Sequence, residues 1–236
     1  MIALAVVPAR AGSKGVPRKN LVEVGGRPLL AYTADAALGS ARLTRTILST
    51  EDDTIAAAGR ALGLDVPFLR PPELAGDEAP MLPVLQHARA TLAGQGFAAD
   101  VVVLLQPTSP LRRSEHIDAA LDLLESTGAD SVVSVVEVPH QFNPVSVLTI
   151  DGGRVQAFLP GPMVTRRQDK PRVFARNGPA VLAVRASVLD GGSLYGVDCR
   201  ALLMASEDSL DIDSPGDLDH LEWILERRRT HQASGK

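Results

Sequence analysis

A rhythm in the chain constrains its fold more than any single motif does. Short aliphatic runs at residues 2–7, 46–50, 101–105 and 131–136 alternate with stretches of helical period at 29–38, 53–62, 81–92 and 114–125. A continuous apolar run of that length fits a strand buried on both faces. Strand–helix–strand repetition predicts parallel strands, because each crossover helix packs back onto the sheet. The expectation is an α/β fold with a mostly parallel sheet and helices on both faces, three layers in all. Hydrophobic residues make up 45% of the chain and aromatics only 3%, so Ala, Val and Leu must fill the core. With 236 residues a substantial core is within reach; chains of this size bury about 70% or more of their unfolded surface.

The rhythm breaks near Pro139. Residues 139–172 are rich in Pro, Gly, Gln and Arg and lack a helical period. Within them, two apolar runs flank Asp151-Gly152-Gly153, which is a hairpin signal. This segment is read as a protrusion inserted into a core formed by 1–138 and 173–230. Regular structure resumes at 180–184. The last helix is announced by Ser214 as cap, Pro215 at its first position and Asp217 as the partner in a capping box, with Arg227–Arg229 favouring its C-terminal dipole. Residues 231–236 read as a tail.

Composition excludes several function classes. A net charge of −4 argues against bulk nucleic-acid binding. No apolar stretch approaches the roughly 20 residues of a membrane span, and the opening apolar run ends at Pro8 without a basic segment before it. The single cysteine, Cys199, permits no intrachain disulfide, which points to a reducing, cytoplasmic setting.

Chemistry concentrates in four segments. Pro8-Ala-Arg-Ala-Gly-Ser-Lys-Gly-Val-Pro-Arg-Lys-Asn20 follows the first strand directly, where open α/β sheets place their ligands. Gly12 and Gly15 admit close backbone approach, Arg10, Lys14, Arg18 and Lys19 supply cations, and Ser13 and Asn20 add neutral donors. That mixture suits a polyphosphate; a solvated basic loop is the plain alternative. The segment is neither a Walker A loop nor G-x-G-x-x-G. In Asp211-Ile212-Asp213, strand alternation would put both carboxylates on one face, about 7 Å apart, an arrangement suited to Mg²⁺. Alternatively, the pair merely precedes a helix, with Asp208 decorating a turn. Leu104-Leu-Gln-Pro-Thr-Ser-Pro-Leu-Arg112 again follows a strand; its prolines stiffen a turn that aims Gln106 into the crevice, or it is a plain turn capped by Ser114. The arginines of 166–172, including Arg167, could clamp an anion or lie at a solvated face. His140 is the histidine available in the protrusion.

Five motifs occur together and in order: Ala9-Arg-x-Gly-Ser-Lys-Gly-x-Pro-x-Lys-Asn20, Arg70-Pro-x-Glu-Leu-Ala75 with Asp77, Leu105-Gln-Pro-Thr-Ser-Pro-Leu-Arg112, Asn177-Gly178, and Asp208-Ser-x-Asp-Ile-Asp213. The set resembles the acylneuraminate cytidylyltransferases, the enzymes that make CMP-sialic acid and its relatives. The resemblance implies an α/β nucleotidyltransferase fold and a homodimer formed through a protruding segment. It implies that Arg10, Gly12, Ser13, Lys14, Lys19 and Asn20 hold the triphosphate and ribose of CTP, and that Arg70 and the loop after it hold the base. Gln106, Arg167 and Asn177 would serve an anionic sugar acceptor, Asp211 and Asp213 would carry Mg²⁺, and Lys14, Lys19 and the two aspartates would do the catalytic work. Two acceptor-side positions depart from the family: Ser146 stands for a lysine and Val181 for an aromatic residue. A nucleotidyltransferase acting on a sugar 1-phosphate with CTP or GTP is therefore the second reading, and a non-catalytic nucleotide-binding protein the third.

Overall fold

The computed structural model describes residues 1–13, 15–161 and 164–233. The chain opens with β1 (Ala3–Pro8), a two-strand ribbon β2 (Glu23–Val24) and β3 (Arg27–Pro28), then α1 (Leu29–Leu38), β4 (Arg45–Ser49) and α2 (Asp53–Ala61). It continues through α3 (Met81–Gly94), β5 (Val101–Leu104), α4 (Ser114–Thr127) and β6 (Ser131–Glu137). The hairpin β7 (Leu148–Asp151) and β8 (Arg154–Ala157) follows, then β9 (Phe174–Arg176), β10 (Leu182–Arg185), α5 (Ala186–Asp190), β11 (Cys199–Leu203) and α6 (Pro215–Ala233).

The main sheet runs β11-β6-β10-β5-β1-β4, with β9 added beside the end of β6. β1 pairs in parallel with both β4 and β5, and β6 with β11, whereas β10 is antiparallel to β5 and β6. The C-terminal ends of five parallel strands and the N-terminal entry of β10 therefore share one rim. Strand alternation splits the core in two. Ala3, Ala5 and Val7 face a layer holding Leu30 and Ala34 of α1, Ile55 of α2 and Leu121 of α4. Leu4 and Val6 face the opposite layer, with Leu85, Ala88 and Leu92 of α3 and Leu189 of α5. The small alanines of β1 let the leucines of the helices reach the sheet, which explains how a core so poor in aromatics still closes. Each fully buried leucine contributes roughly 1.5–3 kcal/mol. A third cluster, Val24, Leu29, Leu111, Ile212 and Leu221, seats α6 against the rim.

Residues 139–172 leave and rejoin the core at one place, where Val138 N donates to Val173 O (2.9 Å) beside the antiparallel β6–β9 pair. Among the described residues the β7–β8 hairpin pairs only with itself. Its turn uses Gly152 and Gly153 at φ +52° and +79°, a conformation that side-chain-bearing residues resist. Several details differ from the sequence reading. Ser114 is the first helical residue of α4 rather than its cap; the preceding Arg113 N–H donates to His116 Nδ1 (3.1 Å). Cys199–Leu203 forms an edge strand that its mixed, exposed pattern concealed. α6 extends to Ala233, into the expected tail.

Candidate active site

β1 delivers the basic loop to the rim, and the protein itself shapes that loop closely. Asn20 Nδ2 donates to Arg10 O (2.9 Å), closing the loop across its base. Ala11 N donates to Glu51 Oε1 (2.7 Å) just past β4. Lys19 Nζ donates to Ile212 O (2.5 Å) and lies 3.3 Å from Asp213 Oδ1, so the basic loop is fastened to the acidic segment. The same junction explains Gly15: a Cβ there would lie 2.1 Å from the Asp213 carbonyl oxygen. Around Gly12, by contrast, a Cβ would meet no described residue beyond its chain neighbours within 4 Å. Lys14, expected to bind nucleotide and act in catalysis, lies outside the described residues.

A cavity of about 380 Å³ opens over this loop. Arg10, Ser13, Lys19, Asn20, Arg70, Gln106 and Asp213 line it together with Asp77, Met81 and Thr108. Segments more than 190 residues apart in sequence thus meet over one opening. Arg10 pairs with Asp77 (2.6 Å), linking the basic loop to the loop after Arg70. Arg70 is almost fully buried. It donates through Nη2 to Ser49 O (3.0 Å) and Glu51 Oε2 (3.4 Å), and burial lowers its pKa despite the Glu51 charge. Sequence reasoning missed Glu51, which braces both the loop and Arg70. Its position at the carboxyl end of a predicted strand was the available signal.

Beside the cavity runs the acidic segment. Asp217 Oδ2 accepts from Asp213 N (3.0 Å), Ser214 N (2.7 Å) and Ser214 Oγ (2.8 Å), so the start of α6 fixes the backbone of Asp213. The Asp213 side chain is 81% exposed. Asp211 is more enclosed: its Oδ1 is buried with no hydrogen-bond partner among the described residues. Burial raises the Asp211 pKa above the ordinary carboxylate value; the Asp213 charge adds to this, and a Thr108 hydrogen bond opposes it. A desolvated carboxyl oxygen beside a second carboxylate suits a hard divalent cation that also takes water and phosphate oxygens. Asp208 does not join them. It is buried against Arg113 (3.0 Å) and Arg228 (2.8 Å), tying α4 to α6.

The expected acceptor residues separate. Gln106 lines the nucleotide cavity, and its Nε2 donates to Gly178 O (3.1 Å). Asn177 is buried, with Nδ2 donating to Ser209 Oγ (2.9 Å) and Oδ1 accepting from Ser134 Oγ (2.6 Å), so it braces the rim from behind. Arg167 instead lines a second, larger cavity of about 1040 Å³ between the protrusion and the ends of β6 and β11. His140, Lys170 and Arg172 are there too. Val181 is fully buried, and Ser146 Oγ donates to His140 O (3.1 Å).

Residues 4–151, more than half of the chain, match the family model described as cytidylyltransferase. The chain belongs to the cytidylyltransferase family. Among relatives of this cytidylyltransferase is the CMP-N,N'-diacetyllegionaminic acid synthase of Legionella pneumophila, 34% identical over 226 residues that span 94% of this chain and 96% of the relative. The N-acylneuraminate cytidylyltransferase of Streptococcus agalactiae is 32% identical over 221 residues, or 92% of this chain; the match spans 52% of that relative, about half its length. A solved structure of CMP:2-keto-3-deoxy-manno-octonic acid synthetase complexed with CTP shares the fold at a TM-score of 0.74 and 18% identity, covering 97% of this chain and all of the other. Among the described residues no helix is long and apolar enough to cross a membrane.

Proposed function

We propose that this cytidylyltransferase transfers CMP from CTP to the anomeric hydroxyl of a 2-keto-3-deoxy sugar acid of the nonulosonic type and releases pyrophosphate. One observation carries the reading: a single rim cavity gathers Arg10, Ser13, Lys19, Asn20 and Arg70 for an anionic nucleotide, Gln106 for a hydroxylated acceptor, and Asp213 next to Asp211, whose Oδ1 is buried without a hydrogen-bond partner among the described residues. The relatives supply the acceptor class, since their names specify CMP-activated acidic sugars.

The acceptor oxygen attacks the α-phosphorus. The new O–P bond forms as the bond to the bridging oxygen breaks, and the electron pair of that bond leaves on pyrophosphate. The acceptor hydroxyl gives up its proton, so the products are the CMP ester, pyrophosphate and one proton. Lys19 and Arg10 stabilise the charge collecting on the leaving phosphates. Gln106, which can both donate and accept, orients the acceptor. Asp211 and Asp213 would hold Mg²⁺. No group of three or more His, Cys, Asp and Glu residues among those described could cage a metal, so the remaining ligands would be water and phosphate oxygens, as Mg²⁺ prefers. When bound, the ion supplies Lewis-acid polarisation of the phosphate and acidifies the attacking hydroxyl.

We further infer a homodimer built on the protrusion. Phe142, Ile150, Val155 and Phe158 are each at least 60% exposed there, and a lone hairpin of that kind is marginal in water. A second copy of the chain covers it. A cytoplasmic setting, in which the exposed Cys199 stays a free thiol, completes the reading.

The test incubates the protein with Mg²⁺, each nucleoside triphosphate in turn, and a panel of nonulosonic acids and sugar 1-phosphates, following pyrophosphate. Release with CTP and a nonulosonic acid is expected. Release only with a sugar 1-phosphate would install the second reading, and nucleotide binding without release under any pairing would leave a binding protein.

A further inference from the structure

Arg112 is a cation where none is expected. It is 3% exposed, and among the described residues no carboxylate pairs with it. Burial pushes its pKa down to about 9, which still leaves it charged at neutral pH. An enclosed charge without a counter-ion is costly, and an apolar side chain of similar volume would avoid that cost. Something in the geometry must offset it.

The geometry is a three-way tie. Nη1 donates to Gln106 O (3.1 Å) and Ala180 O (2.7 Å), and Nη2 donates to Thr33 Oγ1 (2.6 Å) on α1. The two carbonyls belong to the walls between which the Gln106 side chain is strung, because Gln106 Nε2 donates to Gly178 O (3.1 Å). Gly178, at φ +119°, runs so close to the same turn that a Cβ would lie 2.7 Å from Ser109 Oγ and 3.7 Å from Asp211 Oδ1. The turn after β5, the entry to β10 and the Asp211 carboxyl therefore converge around Gly178, and Arg112 ties the first two of them together. A planar guanidinium can serve three acceptors on three elements at once; an ammonium on a flexible stem cannot hold the same fork.

We infer that Arg112 is a positioning residue for the acceptor end of the site: its guanidinium locks the Gln106 turn against the Gly178–Ala180 entry, which sets the place and orientation of the Gln106 amide. It touches no substrate. The inference rests on the proposed role of Gln106 toward the acceptor.

Arg112→Lys keeps a basic nitrogen and loses the fork, while Thr33→Val removes one acceptor and keeps the volume. Both are assayed by pyrophosphate release, with CTP and the acceptor varied separately and thermal melts run alongside. Arg112→Lys is expected to lower kcat/KM for the acceptor about 10- to 100-fold, largely through a raised KM, and to move the KM for CTP by less than about threefold, because misplacing a positioning group acts on the substrate it orients. Thr33→Val should do the same more weakly, by about 3- to 10-fold. A purely structural loss would reduce the active fraction, scaling kcat while leaving both KM values alone. Parental acceptor KM in both folded variants overturns the inference, as does an equal rise in the two KM values. Should Arg112→Lys not fold, Thr33→Val decides by the same criteria. If the parent protein turns over no acceptor in the panel, the functional reading fails and takes this inference with it; if the parent is active and the variants match it, only this inference fails.

Discussion

Gly15→Ala probes the junction on which the site depends. The added Cβ would sit 2.1 Å from the Asp213 carbonyl oxygen, whereas real Cβ atoms do not approach closer than 3.0 Å, so the two segments must separate by about 0.9 Å at least. The obstacle is backbone rather than a flexible side-chain tip. That backbone is held on either side, by Ile212 N donating to Thr108 O (2.8 Å) and Asp213 N donating to Asp217 (3.0 Å). The basic loop therefore moves away from the acidic segment. One partner carries Lys19 and the other Asp213, so the shift is a misplacement of about 1 Å between catalytic groups, which costs on the order of 100-fold in rate. Overpacking adds about 1–3 kcal/mol of destabilisation, more than the roughly 0.4–1 kcal/mol that Gly→Ala returns through the unfolded chain. kcat/KM for CTP, measured by pyrophosphate release, should fall about 100-fold, with a lower melting temperature. Gly94→Ala, at the end of α3 where a Cβ meets nothing within 4 Å, serves as control and should keep the parent kcat/KM while melting at or slightly above it. Parental kcat/KM and melting temperature in Gly15→Ala would refute the claim that the loop and the acidic segment are held in mutual register.

Asp211→Asn should lower turnover about 100-fold or more, since Lewis-acid stabilisation is worth several kcal/mol. It should also melt at or above the parent at pH 7. The raised folded-state pKa means that ionising Asp211 costs stability as pH rises through that value, a cost the amide lacks, so the variant's margin should shrink as pH falls toward the ordinary carboxylate range. A variant less stable than the parent at pH 7 would contradict the burial argument. Lys19→Ala removes both a cavity cation and the tether to Ile212 O. Calorimetry should show CTP binding weakened about 10- to 100-fold, the worth of a charge-assisted hydrogen bond, and unchanged affinity would return the loop to a solvated role. Phe158→Asp places a charge in the inferred dimer contact, so light scattering behind gel filtration should find a shift toward monomer. A monomeric parent at micromolar concentration would end the dimer reading.

The alternation of apolar runs with helical periods was enough to place β1, β4, β5, β6 and the helices between them, because each element repeats one local pattern over its whole length. The pairing of Asp217 with Ser214 at the start of α6 and the Gly152-Gly153 turn were legible for the same reason: both are short-range chemistry, though Ser214 Oγ donates to Asp217 rather than capping a helix N–H. The basic loop, Gln106 and the aspartate pair could be picked out because each follows or precedes such an element. What could not be read was contact between distant segments. β11 is an exposed edge strand with no periodic signature, and only its parallel pairing with β6 defines it. Asn177 reads as a ligand-facing residue in its motif, yet hydrogen bonds to Ser134 and Ser209 turn it inward. Gly15 looks like a glycine kept for a ligand, but it is the Asp213 carbonyl that excludes a side chain there. Arg112 looks like one more surface cation at the end of a turn. Its burial against Gln106, Ala180 and Thr33 follows from three elements converging, and no local pattern records where three elements will meet.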